Sequence, residues 1–462
     1  MQETASIPSE DRLDFRKILP IFLIVFVDLM GLTITIPFIT YYAASFGADA
    51  VLIGLLQMAY PLMQFIGAPY LGDLSQKYGR KPILVISQLG TFAGFILLAF
   101  ANSLWLLFLA RLIDGFTGGN ISTAQAAITD STTPRSRTQA LGLIGAAFGL
   151  GFVLGPVISS IALNVSGNDY RVPALIAAGF SLLALTLTAL IFKETLPPEQ
   201  RSSSAKTGQN QHISRLGRMI RAAQHPAVGV LLILIFAQQL IFGGFERVIS
   251  LFLLSRLGMS AANNALIFLF VGIIAVLVQG GFVGSWSRRL GERKLIFLGM
   301  ALMGAGLLLM AFTPAQAVNW YDRDELISEL SANEGATSID LNTFNLPDDD
   351  NRGWLGLGWL MVSLVPIAIG GSVLQPTINS LITKRVDVVE VGAILGISAA
   401  FLSAANTLAP AIAGVIFQVG GPTMPFLLGG IAMAILLLIA QRQLVPNPRD
   451  SLVTEGAVSP VH

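Results

Sequence analysis

Apolar residues occupy this chain in long runs of about 20 positions, each closed by a short polar or glycine-rich connection, and that is the length a helix needs to cross the hydrocarbon layer of a membrane. Twelve such runs are predicted, at 17–43, 49–71, 82–101, 104–129, 138–164, 171–192, 227–256, 262–283, 295–312, 354–382, 390–418 and 422–441, numbered here as spans 1 to 12. Arg16 and Lys17 ahead of span 1, and Ala48-Asp49-Ala50 behind it, imitate the flanks of a secretory leader. The run is too long for a leader and eleven more follow, so it reads as a retained helix.

Composition agrees with lipid as the main solvent. Of 462 residues 53% are apolar and 12% charged, with a mean hydropathy of +0.71, far from soluble domains. A net charge of +1 gives no electrostatic case for nucleic acid; the placement of the basic residues is what informs. With the N-terminus in the cytoplasm, 22 of the 28 Lys and Arg fall on that side, four (Arg171, Arg256, Arg323, Arg352) on the other, and Arg111 and Arg247 within spans. This asymmetry predicts cytoplasmic termini, and a plasma (inner) membrane is the expected location. The absence of cysteine excludes disulfides and thiolate chemistry. His212, His225 and His462 all fall in predicted cytoplasmic segments, so no embedded histidine is available as a metal ligand or proton relay. No metal or cofactor is expected.

The chain repeats itself. Gly72, Ser75 and Gly79 after span 2 map onto Gly284, Ser287 and Gly291 after span 8 with an offset of 212, and Thr129, Gly142 and Pro156 map onto Thr383, Gly396 and Pro410 with an offset of 254. The 42 extra residues of the second half match a polar stretch at 313–353, on the predicted outer side, where Asp324–Leu330 is the expected helix. The predicted organisation is a six-helix bundle over 1–192, a cytoplasmic linker over 193–226, a second six-helix bundle over 227–441 carrying the insertion, and a cytoplasmic tail over 442–462. Within the linker, Ile213–Ala223 alternates basic and apolar residues as a helix lying on a membrane surface would. The fold class expected is therefore all-α and polytopic, with two bundles related by a pseudo-two-fold axis along the membrane normal.

Polar groups at membrane depth are expensive and carry the chemistry. Span 1 holds Asp28, a lone carboxylate that must either titrate or pair; with no embedded histidine, proton chemistry falls to carboxylates. Span 4 holds Arg111 and, at i+3 on the same face, Asp114. Span 7 holds Glu246 beside Arg247; neighbours on a helix point about 100° apart, so only one of the two faces a given partner. Gln57, Gln64, Asn120, Gln125, Gln238, Gln239, Gln375 and Asn379 are candidates for a substrate cavity, some of which must instead satisfy one another across helix contacts.

Two motifs add a family likeness. The loop Gly72-Asp73-Leu74-Ser75-Gln76-Lys77-Tyr78-Gly79-Arg80-Lys81 combines a reversal at Gly79 with cations suited to an anionic inner surface. Span 5 carries Gly151-Phe152-Val153-Leu154-Gly155-Pro156, small residues four apart that permit close packing and a proline that loosens the ladder. Together with Arg111–Asn120 these segments resemble the major facilitator superfamily. Val27-Asp28-Leu29-Met30-Gly31 with Ile36-Pro37 looks like the start of its tetracycline-type and multidrug efflux carriers. The resemblance implies a proton-coupled antiporter, with Arg111 linked to proton coupling and Gly151, Gly155 and Pro156 as the antiport motif; the carboxylates Asp28, Asp114 and Glu246 are the groups expected to share in that coupling. The loop departs from the family pattern: Gln76 stands where the signature has an acid, and Asp73 lies three residues earlier.

No H-E-x-x-H, G-x-S-x-G or G-x-x-x-x-G-K-(S/T) appears, so neither an enzyme template nor an ATP-cradling loop is present. The leading expectation is a secondary transporter exporting hydrophobic or amphipathic small molecules against protons, acting as a monomer in the bilayer, without nucleic acid. Two other readings stay open: a metabolite or sugar symporter, and a receptor or scaffold that keeps the fold without transport.

Overall fold

The computed structural model describes residues 15–132, 137–201, 222, 228–331, 346–386 and 390–444. Apart from Ala222, the linker helix expected over Ile213–Ala223 lies outside the described residues, as do the tail beyond 444 and all three histidines.

The described chain is helical throughout, with one isolated bridge between Ala317 and Arg352 in the insertion. Eleven helices among the described residues are long and apolar enough to cross a membrane. They correspond to spans 1–3 and 5–12, and span 4 is the twelfth. It is not one helix but two, Leu104–Thr117 and Ile121–Asp130, joined by a tight 3-10 turn at Gly118–Asn120. Gly118 and Gly119 favour that interruption because glycine weakens a helix interior by about 1 kcal/mol relative to alanine. Span 1 also ends early. Phe15–Thr35 stops before Pro37, and a short helix, Ile39–Ser45, continues beyond it, as expected where proline removes a ladder hydrogen bond. Span 8 contains a π-helical turn at Val278–Phe282.

Side chains facing away from the packed interior are apolar: Leu190 is 78% and Val419 85% exposed. In water such surfaces aggregate; against lipid tails they cost nothing.

Packing divides the chain into two compact units. One holds the chain up to Ile39 and from Leu62 into the linker; the other holds Thr40–Pro61 and everything after the linker. In the first unit span 1 packs on spans 5 and 6, and span 3 on spans 4 and 6. In the second unit span 7 packs on spans 11 and 12, and span 9 on spans 10 and 12. Adding six to each span number converts the first set into the second, so the repeat read from two sequence offsets is a repeat of helix neighbours. Thr40–Pro61 packs within the second unit through small-residue contacts. A Cβ on Gly54 would sit 2.6 Å from the Pro410 carbonyl oxygen, and the Ala50 N–H donates to Gln418 Oε1 at 3.0 Å.

In the insertion, Arg323–Ser331 is a helix, one residue longer at each end than expected. Tyr321 donates its hydroxyl to the Pro347 carbonyl at 2.9 Å. Burial pushes its phenol up to about 12, so it remains a donor at neutral pH.

Candidate functional site

The break in span 4 organises the first unit. Side chains add donors to its carbonyls: Gln64 Nε2 donates to the Gly118 carbonyl at 3.1 Å, and Ser122 Oγ donates to the Gly119 carbonyl at 2.8 Å, which also accepts the Ile121 N–H. Such donors are what allow irregular backbone at membrane depth. A Cβ on Gly119 would sit 2.6 Å from the Ala68 nitrogen, so span 2 touches the break backbone to backbone. At the end of the turn Asn120, 3% exposed, donates through Nδ2 to Asp28 Oδ2 at 3.3 Å. The other oxygen, Asp28 Oδ1, is cut off from solvent and has no hydrogen-bond partner among the described residues. It faces a small pocket whose lining includes Gln88, Asn120, Ile24, Leu84 and Phe192. Gln88 Oε1 is likewise buried without a donor. Two buried acceptors without donors around one pocket are an arrangement that can accept a proton or a protonated species.

Arg111 and Asp114 are paired as their i+3 spacing predicts, Nη2 to Oδ2 at 3.0 Å, with side chains 6% and 3% exposed. The guanidinium also lies 6.0 Å from the centre of the Phe95 ring, within cation–π range. Gly94 admits the pair: a Cβ there would stand 3.0 Å from Asp114 Cβ.

Span 5 runs as one helix, Arg137–Ser166, through Pro156. Its glycine face meets span 1 at Thr33, whose hydroxyl donates to the Leu29 carbonyl at 2.9 Å. A Cβ on Gly155 would overlap the Thr33 side chain and stand 2.8 Å from its carbonyl carbon, whereas on Gly151 it would make ordinary 3.6 Å contact. Gly155→Ala is therefore expected to lower stability by about 1–3 kcal/mol through overpacking and to reduce transport, with Gly151→Ala near wild type. Thermal unfolding in detergent and an export assay check both; equal behaviour of the two variants would refute the contact.

The second unit is arranged differently. Gln239 Nε2 donates to Asn406 Oδ1 at 2.8 Å and neighbours Gln238 at 3.5 Å. Here the glycines lie on span 7, where Gly243 and Gly244 face Ala409 and Ala413 of span 11. Glu246 and Arg247 are both half-buried. Ser398 Oγ donates to Asn379 Oδ1 at 2.8 Å. Gln57 Nε2 donates to Thr40 Oγ1 at 3.1 Å and to the Arg247 carbonyl at 3.0 Å. Gln375 is half-buried and Gln125 exposed. Within the first unit Asn120 meets Asp28, and within the second Gln238 and Gln239 meet Asn406, while Gln57 and Asn379 are held by partners of their own.

At the loop after span 2 the structure revises one expectation. Arg80, expected on the membrane surface, is 7% exposed, with Nε donating to Asp130 Oδ2 at 2.9 Å and Nη1 to Ser75 Oγ at 2.8 Å. A guanidinium with a carboxylate and a hydroxyl in reach is better satisfied inside the protein than at lipid headgroups. Ser75 in turn donates to the Gly72 carbonyl at 2.7 Å. Gly79 has φ +106°, a conformation reserved for glycine. Asp73, Gln76 and Lys77 are exposed.

Sequence reasoning missed Gln88 and Glu194. Gln88 was detectable as an amide inside an apolar run; Glu194 lies past the end of span 6 among linker residues, where nothing local marks its role.

The family model for the Major Facilitator Superfamily matches residues 21–323. Among curated proteins, the chain is 33% identical over 308 residues to the class E tetracycline resistance protein of Escherichia coli, covering 66% of this chain and 74% of that one. It is 25% identical over 435 residues to the class B tetracycline resistance protein of Escherichia coli, covering 93% and 96%. Among solved structures, the human organic anion transporter MFSD10 (TETRAN) superposes with a TM-score of 0.64 at 20% identity over 94% of this chain and all of that one, a likeness of fold.

Proposed function

Because the chain belongs to the Major Facilitator Superfamily, in its branch of tetracycline-resistance and multidrug exporters, we propose that Asp28 is the group through which this proton-coupled exporter binds its proton. The observation that carries the assignment is the carboxylate itself: one oxygen is held by Asn120, and the other is solvent-free and lacks a donor among the described residues. A proton arriving at Oδ1 neutralises a charge that is costly at membrane depth. Its release restores that charge. A bound compound that alters access to Asp28 is therefore coupled to the proton, and alternating access converts the coupling into export. Arg111 and Asp114 act on this equilibrium through their field, and Glu246 is the second carboxylate available for proton or cation binding.

The substrates proposed are hydrophobic or amphipathic molecules of the tetracycline class, received by apolar and methionine-bearing surfaces rather than by a dense polar lattice. The distribution of Lys and Arg supports cytoplasmic termini in a plasma membrane, and the chain acts as a monomer. In proteoliposomes with an imposed pH gradient, adding tetracycline is expected to dissipate the gradient only when the protein is present. Absence of compound-dependent proton movement, or equal drive by a sodium gradient, would overturn the reading.

A further inference from the structure

The offsets that relate the halves carry one consequence beside the loops after spans 2 and 8. Arg80 maps onto Glu292 with the offset of 212, and Asp130 maps onto Lys384 with the offset of 254. Both pairs form: Arg80 Nε to Asp130 Oδ2 at 2.9 Å, and Lys384 Nζ to Glu292 Oε1 at 2.6 Å. The accompanying serine is kept as well. Ser75 Oγ receives Arg80 Nη1 at 2.8 Å, and its counterpart Ser287 donates to Glu292 Oε1 at 3.2 Å. Each unit therefore ties the start of its third span to the end of its fourth by an ion pair in the same place, with the charges exchanged.

The exchange is not neutral. A helix favours anions at its N-terminus and cations at its C-terminus. Glu292 opens the helix Glu292–Ala311 and Lys384 lies in the last turn of Leu355–Arg385, so the second-half pair agrees with both helix dipoles. Arg80 opens Arg80–Ala99 and Asp130 closes Ile121–Asp130, so the first-half pair opposes both. The first half has an additional group at this helix start. Glu194 Oε1 accepts the Arg80 N–H at 2.9 Å, and Oε2 accepts the Lys81 N–H at 3.1 Å, satisfying two of the otherwise unpaired N–H groups of that helix start. The carboxylate is itself held by the N–H groups of Thr195 and Leu196, both at 3.0 Å, with Arg201 at 3.7 Å. A Cβ on Gly79 would overlap Glu194 Oε2, whereas one on Gly291 would meet nothing within 4 Å.

We infer that Glu194 is a positioning residue of the exporter: an anionic cap lent to span 3 from beyond span 6, which makes the reversed pair Arg80–Asp130 workable and thereby sets the loop after span 2. It acts through Arg80 and does not touch Asp28. The inference rests on the export reading only for its transport readout; its thermal readout is independent of it.

The test is a reversal of sign. Glu194→Gln in the natural background is expected to lower thermal stability and to reduce export several-fold. R80E is expected to lose export at least tenfold. R80E/D130K rebuilds the second-half polarity but sets a carboxylate against Glu194, and is expected to stay impaired. Adding E194Q to that double variant is expected to restore stability and export to within about twofold of wild type. The same E194Q change therefore harms one background and helps the other, which a residue serving only as filler would not do. If R80E/D130K performs as well with Glu194 as with E194Q, or if E194Q alone is silent in both measurements, the inference is wrong. If the thermal reversal appears but wild type moves no compound, the export reading fails and the cap stands.

Discussion

Asp28→Asn is expected to abolish gradient-driven export, by a factor of about 100 or more, the scale on which losing a positioned proton acceptor acts, while leaving the protein folded. Asparagine fills nearly the same space, and its carbonyl can still accept from Asn120 Nδ2, which donates to Asp28 Oδ2 at 3.3 Å. What it cannot do is change charge. Exchange of labelled compound across vesicles without a pH gradient should persist, because that process needs alternation but no net proton movement. The measurements are proton-coupled tetracycline transport in proteoliposomes, exchange in the same vesicles, and thermal unfolding in detergent. Retained gradient-driven transport by D28N would remove Asp28 from the mechanism and shift attention to Glu246, for which Glu246→Gln is the matching variant.

The second large effect concerns the ion pair in span 4. Arg111→Ala should leave Asp114, 2% exposed, as a buried carboxylate without its cation, and breaking such a pair from one side costs about 3–5 kcal/mol. Folded protein recovered from membranes should fall steeply. Removing both partners with apolar residues, R111L/D114L, should recover most of the stability, because a buried ion pair contributes little net free energy once its desolvation is counted. Export should not recover with it, since the field that Arg111 and Asp114 exert near Asp28 is then gone. Full export by the double variant would reduce the pair to helix packing. Stability equal to R111A in the double variant would show instead that the Phe95 contact of the guanidinium, not the charge, holds this part of span 4.

Much of this protein was determined by local composition. The length of each apolar run set the number of spans, because a helix in lipid must satisfy its backbone within itself and needs about 20 residues to cross. The spacing of Gly72, Gly79, Gly284 and Gly291 disclosed the repeat, and Arg111 with Asp114 could be paired on paper because i and i+3 share a helix face. Other features depend on which helices become neighbours, and that is a property of packing. The 3-10 turn at Gly118–Asn120 comes with Gln64 and Ser122 donating to its carbonyls; glycines alone in a membrane helix do not decide between a break and a smooth contact. Gln88 joined Asp28 only because spans 1, 3 and 4 converge on one pocket. Arg80 left the expected membrane surface because Asp130, 50 positions away, offered a better partner. Glu194 lies 114 residues beyond the helix it caps, and no window along the chain brings the two together. Local run length decided where the helices are, while long-range hydrogen bonds and ion pairs decided which of their ends and polar groups work together.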